Sequence, residues 1–346
     1  MTLVDVRGFP VHYGRGRLAS LVREIGRYLV VTQPEPWAVV EPTLSAAPTR
    51  VVQAGNLELD HLDRMADSLT DVDAIVGLGG GSAMDTAKWL HWRTRLPLYQ
   101  VPSLPSVDAC FTRMTALRDG GGVRYDGDSV PELVIVDFDL IGAAPRALVA
   151  GGIGDVLSCH TGLWDWRLGA DAGRDHPWDD VAARRGFAYL DELEALAPLL
   201  GRGDDEGVQR LMECHRDIGW LCHDLGHARF EEGSEHFFAY CFEAVTGRTI
   251  MHGELVTLGV LVMSHIQGND PARPRRIAAA ARARTALDEL GVEWDEVEST
   301  LRRLPTFVEE QQHWWSAANG LVVDDALLDE VRNVLAATAP DERAGR

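Results

Sequence analysis

The chain of 346 residues is longer than one hydrophobic core usually serves, so we expect two domains. Its formal net charge of −20 argues against a nucleic-acid or anionic-membrane partner, because such partners are bound by basic surface. No apolar run approaches the roughly 20 residues that span a bilayer, and the first residues lack the layout of a signal peptide, so we expect a cytoplasmic protein. Five cysteines without a C-x-x-C spacing indicate buried reduced thiols rather than disulfides or a cysteine zinc site.

The first 142 residues alternate short apolar runs with amphipathic stretches, which predicts an α/β domain built on an open, mostly parallel sheet. The predicted strands are 9–14, 28–32, 50–53, 74–76, 97–102 and 133–136. The predicted helices are 18–27, 37–44, 57–69 and one that begins near residue 83. The glycines and aspartates of 119–128 predict the tip of a hairpin between 114–117 and 133–136.

Beyond Pro145 the strand patterns stop, and helical periodicity continues almost to the end. The predicted helices are 145–170, 177–200, 205–230, 234–245, 252–266, 273–290, 294–303 and 324–337. The sequence therefore predicts an α/β domain over 1–143 and an all-helical domain over 144–340, with a ligand cleft between them. Residues 341–346 are expected to form a frayed tail.

The stretch from 74 to 88, AIVGLGGGSAMDTAK, predicts a strand, a glycine turn and a helix. Such a turn directs backbone N–H groups, at the positive end of a helix dipole, toward a pyrophosphate that no Cβ atom keeps away. A tight turn in an α/β sheet is the simpler explanation, but four glycines in five positions are more than a turn needs. We therefore interpret the stretch as a phosphate site, although its contiguous glycines match neither G-x-G-x-x-G nor a Walker A loop. Lys88, one turn into the helix, is the only lysine of the chain.

Three short segments of the helical half each place a metal-binding side chain within three residues of a glycine. These side chains are Asp155, His236 and His252. Two histidines and one carboxylate from three separate helices can bind a divalent ion and leave one side open for substrate. Taken singly, Asp155 is better explained as a helix cap, and each histidine is better explained as a hydrogen-bonded core residue.

Several motifs occur together in one order along the chain. They are GGGS-x-x-D-x-A-K ending at Lys88, G-x-G-D ending at Asp155, D-W at 165–166, S-E-H at 234–236 and H-G-E at 252–254. Over about residues 9 to 265 the sequence resembles the iron-containing alcohol dehydrogenase and dehydroquinate synthase superfamily, and within it the glycerol-1-phosphate dehydrogenase branch. The resemblance implies a nucleotide-binding domain over 1–143 and a metal- and substrate-binding domain over 144–340. It also implies NAD or NADP, one divalent metal, oxidation or reduction of a small polyol or phosphorylated polyol, and a homo-oligomer.

The same resemblance assigns roles to individual residues. The cofactor-binding residues that it implies are Gly79, Gly80, Gly81, Ser82, Ala83, Asp85, Lys88, Ser103, Ser106 and Thr112. Asp108 would face the substrate, and Asp155, His236 and His252 would hold zinc or ferrous iron. A metal-bound alcohol loses its proton more easily than a free one, and the resulting alkoxide transfers a hydride to nicotinamide.

Two departures from the family pattern bear on specificity. Tyr240 stands where the glycerol-1-phosphate dehydrogenase branch has a second histidine, one helical turn after His236, so phosphate recognition is open. Candidate phosphate ligands are Arg113, Arg124 and Arg248, each of which is better explained as a solvated surface arginine. Gln33, at the end of the second strand, offers no carboxylate to a ribose hydroxyl, which favours NADP or no preference over strict use of NAD.

Other features have two explanations. Glu235 and Glu254, beside the histidines, are either hydrogen-bond partners of those rings or acids on a helix surface. His223 and His227 have the spacing of a metal pair on one helix, but a half-buried helix face explains them better because no third ligand accompanies them.

Two rival functions follow from the same residues. A sugar-phosphate cyclase, a lyase of the dehydroquinate synthase type, would use the fold with transient NAD, but resemblance to that branch calls for glutamate in place of Asp155 and for several lysines. A binding protein that has lost catalysis would not need the complete set of one aspartate and two histidines.

Overall fold

The computed structural model describes residues 10–55, 57–106, 108–119 and 122–336. The strands are Val11–Gly14 (β1), Tyr28–Thr32 (β2), Arg50–Gln53 (β3), Ala74–Gly79 (β4), Leu98–Pro102 (β5), Thr115–Asp119 (β6), Gly122–Asp126 (β7) and Leu133–Asp137 (β8). The helices of the first half are Arg17–Leu21 (α1), Pro34–Val40 (α2), Leu59–Asp67 (α3), Gly81–Thr94 (α4), Phe138–Ala143 (α5) and Arg146–Gly151 (α6). Those that follow are Gly154–Leu157 (α7), Cys159–Asp171 (α8), Asp180–Arg202 (α9), Asp205–Leu225 (α10), Ser234–Thr246 (α11), His252–Gln267 (α12), Ala272–Ala281 (α13), Leu287–Leu290 (α14), Trp294–Glu310 (α15) and Asp325–Ala336 (α16).

The chain divides into two compact units. Unit 1 comprises Met1–Val149 with His215–Asp224, and unit 2 comprises Ala150–Cys214 with Leu225–Arg346. All strands of the described residues lie in unit 1, and every regular element in the described part of unit 2 is a helix. The predicted fold class, an α/β domain followed by a helical one, is confirmed. None of the helices in the described ranges is both long and apolar enough to cross a membrane.

Six strands of unit 1 form one sheet in the order β1-β8-β5-β4-β2-β3, and every neighbouring pair is parallel. Strands β2 and β4 are apolar at nearly every position and fully buried, as expected where both faces of a sheet are covered. Successive residues of β2 enter different cores: Val30 packs with Val76 on one face, and Val31 packs with Ile75 on the other.

The strand order contains a switch point. From β2 the chain goes outward to β3 at the edge, then returns to place β4 on the other side of β2 and continues to β5 and β8. In open α/β sheets, ligands bind outside the carboxyl ends of the strands at such a reversal. The ends of β2 and β4 therefore mark the expected nucleotide position in unit 1.

The predicted hairpin between 114–117 and 133–136 is wrong. Strand β6 pairs instead with β7 as a separate antiparallel ribbon, and β8 is a parallel strand of the main sheet beside β1 and β5. The short run 122–126 contains a glycine and an aspartate, so its composition indicated a turn although it forms a strand.

Several predicted helices are shorter or interrupted. The helix predicted over 145–170 consists of α6, α7 and α8, and the one over 273–290 breaks at Arg282, which has a φ of +59°. The helix predicted over 205–230 ends at Leu225, because Gly226 takes a φ of +71°. The helix predicted over 18–27 ends at Leu21. Residue 9 of the first predicted strand, residue 337 of the last predicted helix and the tail 341–346 lie outside the described residues.

Candidate active site

The glycine turn joins β4 to α4 at the switch point of the sheet. Gly79 has a φ of +151°, and a Cβ atom there would lie 1.9 Å from Gln33 Oε1. Gln33, which follows β2, accepts a hydrogen bond from the Gly80 N–H at 3.2 Å and donates one to Ser82 Oγ at 2.8 Å. The turn therefore requires glycine, and the neutral amide of Gln33 holds it in place.

Ala83, Asp85 and Lys88, three of the predicted nucleotide residues of α4, are buried. Lys88 Nζ lies 2.9 Å from Asp85 Oδ1 and donates to Thr112 Oγ1 at 3.0 Å and to the Met114 carbonyl at 2.5 Å. The cluster of Asp85, Lys88 and Thr112 therefore ties α4 to the segment that precedes β6. The predicted cofactor role of these residues stays a prediction.

Three further predicted residues follow β5. Ser103 and Ser106 are buried, and the Ser103 N–H donates to the Gly79 carbonyl at 2.8 Å, so Ser103 adjoins the glycine turn. Asp108 lies in a short turn of 3-10 helix, with Oδ2 3.2 Å from the position of a Cβ at Gly219 of α10. Asp108 thus belongs to unit 1 and faces the part of α10 that belongs to that unit.

Asp155, His236 and His252 meet in unit 2. Each offers one ligand atom, and the three atoms lie within 4.8 Å of one another; no other such group of three occurs among the described residues. The Nε2 atoms of His252 and His236 lie 3.3 and 3.9 Å from Asp155 Oδ1. Asp155 and His236 are buried, whereas the side chain of His252 is 37% exposed. Two imidazoles and one carboxylate at this spacing are a donor set for one divalent cation.

Backbone contacts at two glycines bring the three helices together. A Cβ at Gly154, next to Asp155 in α7, would lie 2.3 Å from the carbonyl oxygen of Gly253, next to His252 in α12. A Cβ at Gly259 of α12 would lie 2.5 Å from the carbonyl oxygen of Glu235 in α11. Each helix pair thus approaches more closely than side chains allow, which sets the spacing of the three ligands.

The two glutamates beside the histidines differ. Glu235 is fully buried, and its Oε1 lies 3.0 Å from His236 Nδ1 and accepts from the Gly233 N–H at 2.7 Å. Glu254 forms a two-pronged ion pair with Arg284, at 2.6 and 2.8 Å. The first glutamate is a hydrogen-bond partner of its histidine, and the second is part of an ion pair.

Carboxylates dominate the electrostatics of His236. Burial lowers the pKa of His236, but the hydrogen bond and charge of Glu235, with the charges of Glu232 and Asp155, raise it to about 10. A divalent ion would supply positive charge to these carboxylates in place of the proton.

A buried polar network adjoins the first residue of α11. Asp165 accepts from the Ser234 and Ala317 N–H groups, each at 2.7 Å, and burial raises the pKa of Asp165 to about 6. The fully buried Arg229 donates to the carbonyls of Asp165 and Trp315. The motif D-W pointed to Asp165, but no local pattern in the sequence pointed to Arg229, since its partners are 64 and 86 residues away.

Tyr240 lies one turn beyond His236 with the two rings 6.0 Å apart, and its hydroxyl donates to Glu232 Oε1 at 3.1 Å. The ring of His313 stacks against Tyr240 with centroids 5.8 Å apart, and burial lowers the pKa of His313 to about 4. Neither Glu232 nor His313 was among the predicted site residues. His313 follows α15, far along the chain, so local spacing could not have indicated it.

The three arginines considered for a phosphate all face carboxylates. Arg113 binds Asp128, Arg124 binds Asp126 and Arg248 binds Glu296, at 2.5, 3.0 and 2.6 Å. Arg124 lies on the β6–β7 ribbon of unit 1.

The histidines at 223 and 227 do not form the helical pair that their spacing suggests, because α10 ends at Leu225. His223 contacts the edge of Trp220, and His227 stacks on His176 with ring centroids 4.1 Å apart. Burial, with the charges of His176 and Arg229, lowers the pKa of His227 to about 4.

Comparison with known proteins places the chain in a family. A family model described as iron-containing alcohol dehydrogenase matches residues 10–138. A glycerol-1-phosphate dehydrogenase [NAD(P)+] of Hyperthermus butylicus is 30% identical over 250 residues, which are 71% of this chain and 70% of that protein. The chain belongs to the iron-containing alcohol dehydrogenase family. Within this family, the glycerol-1-phosphate dehydrogenase of Methanothrix thermoacetophila is 27% identical over 83% of this chain and 85% of its own.

A solved structure shares the fold of this family member. The glycerol dehydrogenase of Schizosaccharomyces pombe superposes with a TM-score of 0.68 at 21% sequence identity, covering 95% of this chain and 89% of that one. At this identity the likeness shows the fold alone.

Proposed function

We propose that this protein is a metal-dependent, NAD(P)-linked dehydrogenase of a small polyol or polyol phosphate. The observation that carries the proposal is the convergence of Asp155, His236 and His252, whose ligand atoms lie within 4.8 Å of one another. Its membership of the iron-containing alcohol dehydrogenase family, and relatives named glycerol-1-phosphate dehydrogenase [NAD(P)+], support the same reaction class.

The three residues fit zinc or ferrous iron. One carboxylate oxygen and two imidazole nitrogens form the protein part of an open catalytic site, and the same donor set suits both ions. When bound, the ion would polarise the substrate oxygen while the nicotinamide ring exchanges the hydride. Buried Asp155 supplies the negative charge of the set, and the partly exposed His252 leaves one side of it accessible.

The glycine turn and Gln33 fit a dinucleotide. The turn lies at the switch point of the sheet and at the N-terminus of the 14-residue helix α4, where a pyrophosphate is favoured. Because Gln33 carries no charge, neither a ribose hydroxyl nor a 2′-phosphate is repelled. We propose that both NAD and NADP are accepted.

Hydride transfer by the reconstituted protein tests the proposal. The full chain is stripped of metal with a chelator, reloaded with Zn²⁺ or anaerobically with Fe²⁺, and mixed with reduced cofactor. Candidate substrates are dihydroxyacetone and dihydroxyacetone phosphate, with glycerol and its phosphate in the reverse direction. We expect a metal-dependent change in nicotinamide absorbance with at least one substrate pair.

A matched variant identifies the metal site. Asp155→Asn keeps the size of the side chain but removes its charge, and we expect it to reduce turnover by roughly 10³-fold or more, a loss of about 4 kcal/mol of transition-state stabilisation. A product formed without net change in absorbance would instead support the cyclase. Cofactor binding without turnover by any metal form would contradict the proposal.

A further inference from the structure

The ring of His236 is held at both ends. Its Nδ1 lies 3.0 Å from Glu235 Oε1, and its Nε2 lies on the side of Asp155, 3.9 Å from Oδ1. When Nδ1–H donates to a carboxylate, the neutral imidazole carries its lone pair on Nε2. The contact with Glu235 therefore selects the tautomer that can bind a cation beside Asp155.

Glu235 is itself fixed in place. The Gly233 N–H donates to the same Oε1 at 2.7 Å, and the Glu235 carbonyl lies where a side chain at Gly259 would otherwise be. The side chain is fully buried, and its second oxygen, Oε2, has no hydrogen-bond partner in the described part of the chain. An incompletely bonded carboxylate is costly to bury unless positive charge lies close to it.

The second histidine lacks this support. Glu254, two residues after His252, turns both oxygens to Arg284, and the side chain of His252 is 37% exposed. The two glutamates look alike in the sequence, so the difference is visible only in the fold.

We propose that Glu235 is the positioning residue of the metal site, which orients His236 through Nδ1 and offsets the charge of the bound ion. The inference rests on the proposed metal site and assigns unequal roles to its two histidines. His236 is the tightly held ligand, and His252 is the more mobile one. Partners of this kind typically change metal affinity roughly 10- to 100-fold when they are removed.

Metal affinity, measured without turnover, tests the assignment. The dissociation constant of Zn²⁺ is measured on the full chain by competition with a chromophoric chelator. Glu235→Gln keeps an acceptor for His236 but removes the charge, whereas Glu235→Leu removes both. We expect roughly tenfold weaker binding for the first variant and up to about 100-fold for the second. Glu254→Gln is the matched control, and its affinity for Zn²⁺ should stay close to that of the wild type.

A spectroscopic measurement separates positioning from general stability. In ¹⁵N-labelled protein saturated with Zn²⁺, we expect His236 to carry its proton on Nδ1 in the wild type and in Glu235→Gln. We expect a mixture of tautomers in Glu235→Leu, because no acceptor remains. Should the leucine variant fail to fold, the glutamine variant decides the question through its affinity. Equal affinity in wild type and Glu235→Gln, or an equal loss in Glu254→Gln, would overturn the assignment. A wild-type protein that binds no metal would overturn the proposed function instead.

Discussion

Among single side chains, Gln33 has the clearest consequence for cofactor choice. It follows β2 at the switch point, and its amide contacts Gly80 and Ser82 of the glycine turn. In dinucleotide-binding sheets, an acidic side chain at this place binds a ribose hydroxyl and would repel a 2′-phosphate. We predict that Gln33→Asp shifts the ratio of kcat/KM for NAD over NADP by at least about tenfold, or about 1.4 kcal/mol.

The matched control for that variant is Gln53→Asp. Gln53 ends the neighbouring edge strand β3 and is paired with Thr32, so it carries the same substitution one strand away from the switch point. Its cofactor preference should match that of the wild type. An unchanged preference in Gln33→Asp would remove Gln33 from the nucleotide site.

The residues of the metal set were predictable, and their surroundings were not. Asp155, His236 and His252 each lie within three residues of a glycine in a motif of the family, and the fold brings them together. Glu235 and Glu254 were indistinguishable in the sequence, because the feature that separates them is Arg284, thirty residues beyond Glu254. Local patterns cannot carry that information.

At the scale of helices, the site depends on contacts between backbones. Gly154 lets α7 touch α12, so Ala at this position would press its methyl group against the Gly253 carbonyl. We predict that Gly154→Ala separates Asp155 from His252, weakens Zn²⁺ binding by roughly tenfold or more, and lowers the free energy of unfolding by about 1 to 3 kcal/mol. Chelator competition and denaturant titration measure the two effects.

Gly142→Ala provides the comparison for that change. Gly142 is an exposed residue of helix α5, and a Cβ added there would meet no neighbouring atom within 4 Å, so alanine should stabilise the protein by up to about 1 kcal/mol through helix propensity. It should leave metal affinity unaltered. If Gly154→Ala also leaves metal affinity unaltered and does not lower the free energy of unfolding, the contact between α7 and α12 does not require glycine.

The elements that the sequence predicted best are those whose pattern is local. Strands β2 and β3 have the predicted bounds, because each is a short run with two consecutive valines between turn residues. The pairing of β8 was wrong because partner choice depends on sheet topology, and β7 was missed because its glycine and aspartate resemble a turn. The interruption between α6 and α7 falls at Gly151 and Gly152, which disfavour a continuous helix although the apolar periodicity runs through them.

At the scale of the whole molecule, the residues proposed to bind the metal ion and those proposed to bind the dinucleotide lie in different units. Asp155, His236 and His252 all lie in unit 2, whereas the glycine turn and Gln33 lie in unit 1. A ligand at 100 times its dissociation constant stabilises the state that it binds by about 2.7 kcal/mol. We predict that Zn²⁺ slows hydrogen exchange chiefly in α7, α11 and α12, and that NAD slows it chiefly in β2, β4 and α4. Mass spectrometry of peptides from each unit measures both.

The Asp155→Asn variant checks the assignment of those effects. In that protein Zn²⁺ should no longer slow exchange in α11 and α12, while NAD should still protect β4 and α4. Protection of the unit 1 peptides by Zn²⁺ alone would contradict the division of ligands between the units.

Lys88 gives the molecule an unusual chemical property. It is the only lysine in the sequence, and in the fold it is 1% exposed and bound by Asp85, Thr112 and the Met114 carbonyl. Acylating reagents that seek side-chain amines therefore find no accessible target while α4 stays packed. When α4 unfolds locally, Lys88 becomes the one side-chain amine that such a reagent can modify. Acylation of Lys88 therefore reports the opening of α4 within unit 1.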